Sequence, residues 1–262
     1  MSNADTTIAA LRSGHDALAA LVSKLSDDDL ARPSGAGEWD IAQVLSHLGS
    51  GADIGRARVR ASLDGTPIAD DFNTTVWDRW NAMSRREKAD GFSQSNPALV
   101  ELYESMDADT RENLRIDLGF LPAPVEVAMA ARLRLSEFTL HSWDVYVSFD
   151  EDATLAPEAT GPLLSGTGDL LGWIGKADQL NGAHSVIQVT TIEPTSVFAL
   201  RLGEQISVDS DVPEQPDGTL ALPTEAWLRL VAGRLAPRHT PSGVHATGAA
   251  DLDLLRRVFP GY

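Results

Sequence analysis

Apolar side chains recur at steps of three and four residues through most of the first 150 positions, which commits that part of the chain to helices. The pattern is plainest at the start, where positions 8, 11, 15, 18, 22 and 25 form one stripe with His15 as its polar member. Ser26 followed by Asp27, Asp28 and Asp29 reads as an N-cap with an acidic first turn. Asp40 and Gln43 have capping-box spacing, and Ile41, Val44, Leu45, Leu48 and Ala52 give the buried face of a second, long helix. Asp64-Gly65-Thr66-Pro67 should end it. A third helix is expected after Asn73, with Val76, Trp80 and Met83 inward. A fourth should start at Asn96-Pro97, burying Leu99, Tyr103 and Met106. Leu114 to Phe120 reads as an extended connection, and a fifth helix runs from about Pro124 to Val147. Five helices joined by short loops predict an up-and-down bundle.

The register changes at Asp150-Glu151-Asp152, an acidic, unperiodic stretch read as a linker. The expected division is a helical bundle over 1–152 and a smaller α+β domain over 153–262. In the second part a helix is expected over about 157–180. Strand-like runs at 185–192 and 196–202 flank Glu193-Pro194-Thr195 as a hairpin, and 220–222 is a third strand. Thr224 should cap a helix carrying Ala226, Trp227, Leu230 and Val231, and Asp251–Val258 is the last helix.

Charge narrows the function. Lys plus Arg number 21 against 38 Asp plus Glu, a net −17. Such a surface repels phosphate backbones and anionic lipid, so neither nucleic acid nor membrane is an expected partner. No apolar run approaches the roughly 20 residues of a membrane span, and no signal peptide is evident at the N-terminus, so the expected location is the cytoplasm. The chain has no cysteine. That excludes disulfides, cysteine-ligated zinc, iron–sulfur clusters and a cysteine nucleophile.

The expected fifth helix carries Arg134, Glu137, His141 and Asp144 on one stripe of an otherwise apolar surface. Glu137 and His141 are four residues apart, close enough to bond one ion. Buried carboxylates need compensation, which a metal supplies. The same spacing also suits a salt-bridge ladder, Arg134 with Glu137 and His141 with Asp144. His47, one position off the apolar stripe of the second helix, is a third possible ligand or a histidine at the core edge. Taken together, His47, Glu137 and His141 make a two-nitrogen, one-oxygen set suited to zinc with an open position.

Trp39-Asp40-Ile41-Ala42-Gln43-Val44-Leu45-Ser46-His47-Leu48 resembles the W-x7-H-L signature of DinB-like metal-binding bundles. With Pro33-Ser34, Asn73, Arg134, Glu137-x3-His141-x2-Asp144 and Ala232-Gly233-Arg234, the chain is similar to the mycothiol-dependent maleylpyruvate isomerases and their relatives. The resemblance implies a DinB-like bundle followed by a sterol-carrier-protein-like α+β domain. It implies zinc on His47, Glu137 and His141, mycothiol as cosubstrate, and Arg134 and Arg234 as catalytic arginines, while Asp144 is expected beside the ligands rather than on the metal.

A chain without cysteine can do thiolate chemistry only with an external low-molecular-weight thiol. Addition of that thiol to a small electrophile, rotation and expulsion isomerise a cis alkene; addition or displacement alone is S-transfer. The other reading is a non-catalytic metal- or thiol-binding module, a sensor or a structural metal site, and direct ligation by Asp144 would favour it by closing the site. His15 reads as a core histidine, and His184, His239 and His245 carry no expected role. Gly166-x-Gly168 lacks the third glycine of a dinucleotide fingerprint.

Overall fold

The computed structural model describes residues 3–261, apart from the side chains at 169, 170, 172 and 173. Two compact units divide between Asp150 and Glu151. The first contains α1 (Asn3–Val22), the short α2 (Asp27–Leu30), α3 (Ile41–Asp64), α4 (Phe72–Asn81), α5 (Arg85–Glu104) and the short α6 (Ala108–Asn113). Two-residue strands β1 (Arg115–Ile116) and β2 (Val125–Glu126) then pair antiparallel and lead into α7 (Val127–Tyr146).

Local chemistry accounts for the helix starts. Ser26 with Asp29, Asp40 with Gln43, and Ser84 with Glu87 each form a reciprocal capping box, pairing amides that would otherwise be orphaned. Gly65 ends α3 in the left-handed conformation (φ 64°), and its amide donates to the Ala61 carbonyl. α1 packs on α5 and α7, and α3 packs on α4, α5 and α7. Leu11, Leu18, Val44, Leu45, Leu48, Phe92, Leu99, Leu135 and Phe138 fill the space between them. α7 itself is buried on most sides, because packed helices surround it.

One expectation for this unit is corrected. Asn96-Pro97 does not open a helix; it lies inside α5, which starts at Arg85 behind the Ser84 cap. Asn96 is buried and its side chain serves other helices, as described below.

The second unit contains α8 (Pro157–Leu164), α9 (Thr167–Ile174), β3 (Ser185–Ile192), β4 (Ser196–Leu202), β5 (Ser207–Asp209), β6 (Gly218–Pro223), α10 (Thr224–Val231), β7 (His245–Gly248) and α11 (Leu252–Val258). Its sheet runs β5-β4-β3-β6-β7. β3 and β4 form the antiparallel hairpin, whereas β6 lies parallel to β3. The expected helix over 157–180 is broken into α8, α9 and a 3-10 turn, with Gly166 preceding α9 and Gly175 ending it. Thr224 does not cap α10: its hydroxyl lies 3.1 Å from the Ile192 carbonyl oxygen and 2.9 Å from that of Pro194, tying the helix start to the hairpin. Trp227 packs edge-on against Phe198 at 5.2 Å. The architecture is a helical region followed by a small α+β domain. Among the described residues no helix is long and apolar enough to cross a membrane.

Candidate metal centre

α3 supplies His47, and α7 supplies Glu137 and, one turn on, His141. Nε2 of His47 lies 3.0 Å from Oε2 of Glu137, and Nε2 of His141 lies 3.8 Å from the same oxygen. The two imidazoles meet edge to face at 4.5 Å between centroids. One ligand atom from each residue falls within 4.8 Å of the other two. This is the only such group of His, Cys, Asp or Glu among the described residues. The side chains of His47 (37% exposed) and Glu137 (36%) are accessible from one side, while His141 (8%) lies deeper. The position offset from the apolar stripe is what allows His47 to reach both the bundle interior and solvent.

Asp144 is not one of the three. Its Oδ2 lies 2.8 Å from Nδ1 of His141, and its side chain has no solvent exposure. A carboxylate can only accept, so Nδ1 carries the proton and Nε2 keeps its lone pair facing Glu137. The turn after Pro33 packs against this residue: the Gly35 amide donates to the Asp144 carbonyl at 2.8 Å. A Cβ on Gly35 would come 2.8 Å from Cγ1 of Val147 and 3.0 Å from the Asp144 Cα, so a larger residue here would crowd this turn against α7.

The electrostatics favour an ionised ligand set. Burial opposes charge on Glu137, yet the hydrogen bond from His47 and the electrostatic interactions with His141, His47 and Arg134 prevail, holding its carboxyl at about 2. Burial lowers Arg134 to about 10, against the pull of Glu137, so it remains cationic at neutral pH. Nη2 of Arg134 donates to the Leu48 carbonyl at 2.7 Å and to Oδ1 of Asn96 at 2.6 Å. The expected ladder is therefore half present: His141 pairs with Asp144, but Arg134 bonds to α3 and α5 rather than to Glu137.

Two nitrogens and one anionic oxygen, with the second histidine nitrogen already satisfied, form a donor set that fits a divalent ion of the zinc type. Metal would displace the proton shared by His47 and Glu137.

Trp39 is a part of this centre that motif reading located without giving it a task. Its ring stacks on His141 at 5.9 Å and lies 5.3 Å from His47. The Ser34 amide and hydroxyl both donate to the Trp39 carbonyl, at 2.9 and 2.8 Å, fixing the indole over the histidine pair. Asn96 and the Leu48 carbonyl were not foreseen, since no local spacing connects them to Arg134.

Arg234 belongs to the second unit, where it is 8% exposed and Nη1 donates to the Ala232 carbonyl at 3.0 Å. His239, also in that unit, bonds through Nδ1 to the Glu151 carbonyl at 3.1 Å.

Comparison with known proteins places these features in context. The family described as the mycothiol maleylpyruvate isomerase N-terminal domain matches residues 11–146. A crystal structure of the mycothiol-dependent maleylpyruvate isomerase is similar in fold at a TM-score of 0.61 and 14% identity, over 95% of this chain and 94% of that one. A structure of a histidine-to-alanine mutant of a mycothiol-dependent maleylpyruvate isomerase is similar at 0.61 and 13% identity, with the same coverage. No curated protein matches the chain.

Proposed function

The chain belongs to the family of the mycothiol maleylpyruvate isomerase N-terminal domain, and from that premise we propose that it is a zinc- and mycothiol-dependent enzyme acting on a small electrophile. The observation that carries this reading is the convergence of His47, Glu137 and His141 within 4.8 Å, with Asp144 engaged beside them instead of among them. Three protein ligands leave a position open to a small molecule, whereas structural zinc sites are usually closed by four.

Zinc on these residues would supply a Lewis acid that lowers the pKa of a thiol brought to the open position. The chain's own contribution is positional. His47 and His141 offer neutral nitrogen lone pairs, and Glu137 offers a carboxylate held ionised by its surroundings. Asp144 holds the tautomer of His141, and Trp39 shields one side of both imidazoles from water. Arg134 acts as a positioning residue, through charge, because its guanidinium is bonded to Leu48 and Asn96. Arg234 is proposed to grip the anionic group of the electrophile, since guanidinium binds a carboxylate through two parallel hydrogen bonds.

With no cysteine in the chain, the attacking sulfur comes from the cosubstrate. Addition of the thiol to a cis double bond, rotation and expulsion would regenerate the thiol and leave the trans isomer. Addition without expulsion, or displacement of a leaving group, would be S-transfer.

The test is turnover of a cis-alkene electrophile such as maleylpyruvate by the purified protein with mycothiol, with and without a metal chelator. The proposal expects turnover that requires the thiol and is lost on chelation. Chelator-resistant turnover would contradict it. Replacing Arg234 by Lys should lower turnover of an anionic electrophile while leaving metal content unchanged.

A further inference from the structure

We propose that His15 and Asn96 are positioning residues that hold the Arg134 guanidinium off Glu137, leaving the carboxylate free for a metal. The inference deepens the metal reading above and rests on it.

Arg134 precedes Glu137 by three residues on α7, a spacing at which side chains on a helix meet. A guanidinium and a carboxylate so placed tend to close into a forked ion pair, the strongest pairing available to either. Here the ion-pair contacts of Glu137 are with His47 and His141. Arg134 influences Glu137 through charge alone, its hydrogen bonds going to the Leu48 carbonyl on α3 and Oδ1 of Asn96 on α5.

The hold on the guanidinium leaves it incompletely satisfied. Nε of Arg134 is buried with no hydrogen-bond partner. Nη1 lies where a Cβ on Gly51 would come within 2.9 Å, so α3 crowds that side. An unpaired buried donor is costly. The guanidinium is therefore placed by its two acceptors and not by satisfaction of all its own donors. Released from Asn96, it has a better partner within its own helix, and that partner is the metal-ligand carboxylate.

His15 completes the device. Arginine only donates, so the amide of Asn96 must turn Oδ1 toward Arg134 and Nδ2 toward His15. Nδ2 lies 3.1 Å from Nδ1 of His15, which must then accept. His15 and Asn96 are both buried, on α1 and α5, so the amide has no water to satisfy it in the opposite orientation. The polar break in the apolar stripe of α1 thus fixes the direction in which an arginine on α7 is restrained through α5.

The experiment measures the zinc affinity of chelator-stripped full-length protein, by competition with a chelating dye. It compares wild type, Asn96→Ala, Arg134→Met, the double variant Asn96→Ala/Arg134→Met, and His15→Leu. Asn96→Ala should weaken zinc about 10–100-fold, the range for partners that orient ligands, and His15→Leu should shift affinity the same way. Arg134→Met, which removes both the competing cation and its pull on Glu137, sets its own baseline, and adding Asn96→Ala to it should change affinity by less than about threefold, because the competing cation is gone. Packing damage at Asn96 would persist at full size in the Arg134→Met background. Equal affinity in wild type and Asn96→Ala, or an Asn96→Ala loss of the same size in the Arg134→Met background, would overturn the inference while leaving the metal reading intact. Wild-type protein that takes up no zinc would overturn both.

Discussion

Nδ1 of His141 lies 2.8 Å from Oδ2 of Asp144, a carboxylate with no solvent exposure. The contact sets the ring's tautomer from inside the bundle, so the nitrogen proposed to bind metal is defined by a residue outside the proposed ligand set. Asp144→Asn should weaken zinc binding about 10–100-fold without abolishing it. Zinc titration of the stripped variant checks this. Complete loss of binding would make Asp144 a ligand.

Gly49 follows His47 by two residues on α3 and lies against the Trp80 ring. A Cβ there would come 2.1 Å from Cη2 of Trp80. The indole cannot easily yield, because its Nε1 donates to Asp53 at 2.9 Å and the side chain is buried. Gly49→Ala should therefore cost about 1–3 kcal/mol by overpacking. Thermal melts of the two proteins would show it as a drop of several degrees. An unchanged melting temperature would mean that α3 and α4 separate freely at this point.

His15 gives the fold a pH dependence of known sign. Burial lowers its pKa below the usual 6.5, so the unfolded chain binds the proton more readily than the folded one. Its contribution is fully present above 6.5 and is lost as pH falls through the window below that value. His15→Asn keeps an acceptor near Asn96 but cannot titrate. Melting temperatures across pH 5 to 8 should fall more steeply toward acid in wild type than in this variant. Parallel curves would contradict the assignment.

The legible parts of the fold were those decided within a few residues. The N-cap at Ser26, the capping box at Asp40/Gln43 and the hairpin around Glu193-Pro194 form as the local pattern indicated. Asn96-Pro97 misled because an asparagine before proline has the chemistry of a helix start, whereas three helices required that asparagine in the interior of α5. The parallel pairing of β6 with β3 joins residues about thirty apart, and no periodicity announces it. β5 and β7, of three and four residues, are too short to show alternation. In the candidate centre, Glu137 and His141 were visible through their spacing and His47 through the W-x7-H-L motif. The partners of Arg134 were invisible, because a backbone carbonyl on one helix and an amide on another leave no joint mark in the sequence.

The central claim is that His47, Glu137 and His141 hold one metal ion, and metal analysis tests it most directly. Wild-type protein purified without chelator should contain close to one equivalent of a divalent metal, zinc being the one proposed. His141→Ala should contain less, and the His47→Ala/Glu137→Ala double variant should contain essentially none. Full occupancy in the double variant would contradict the account.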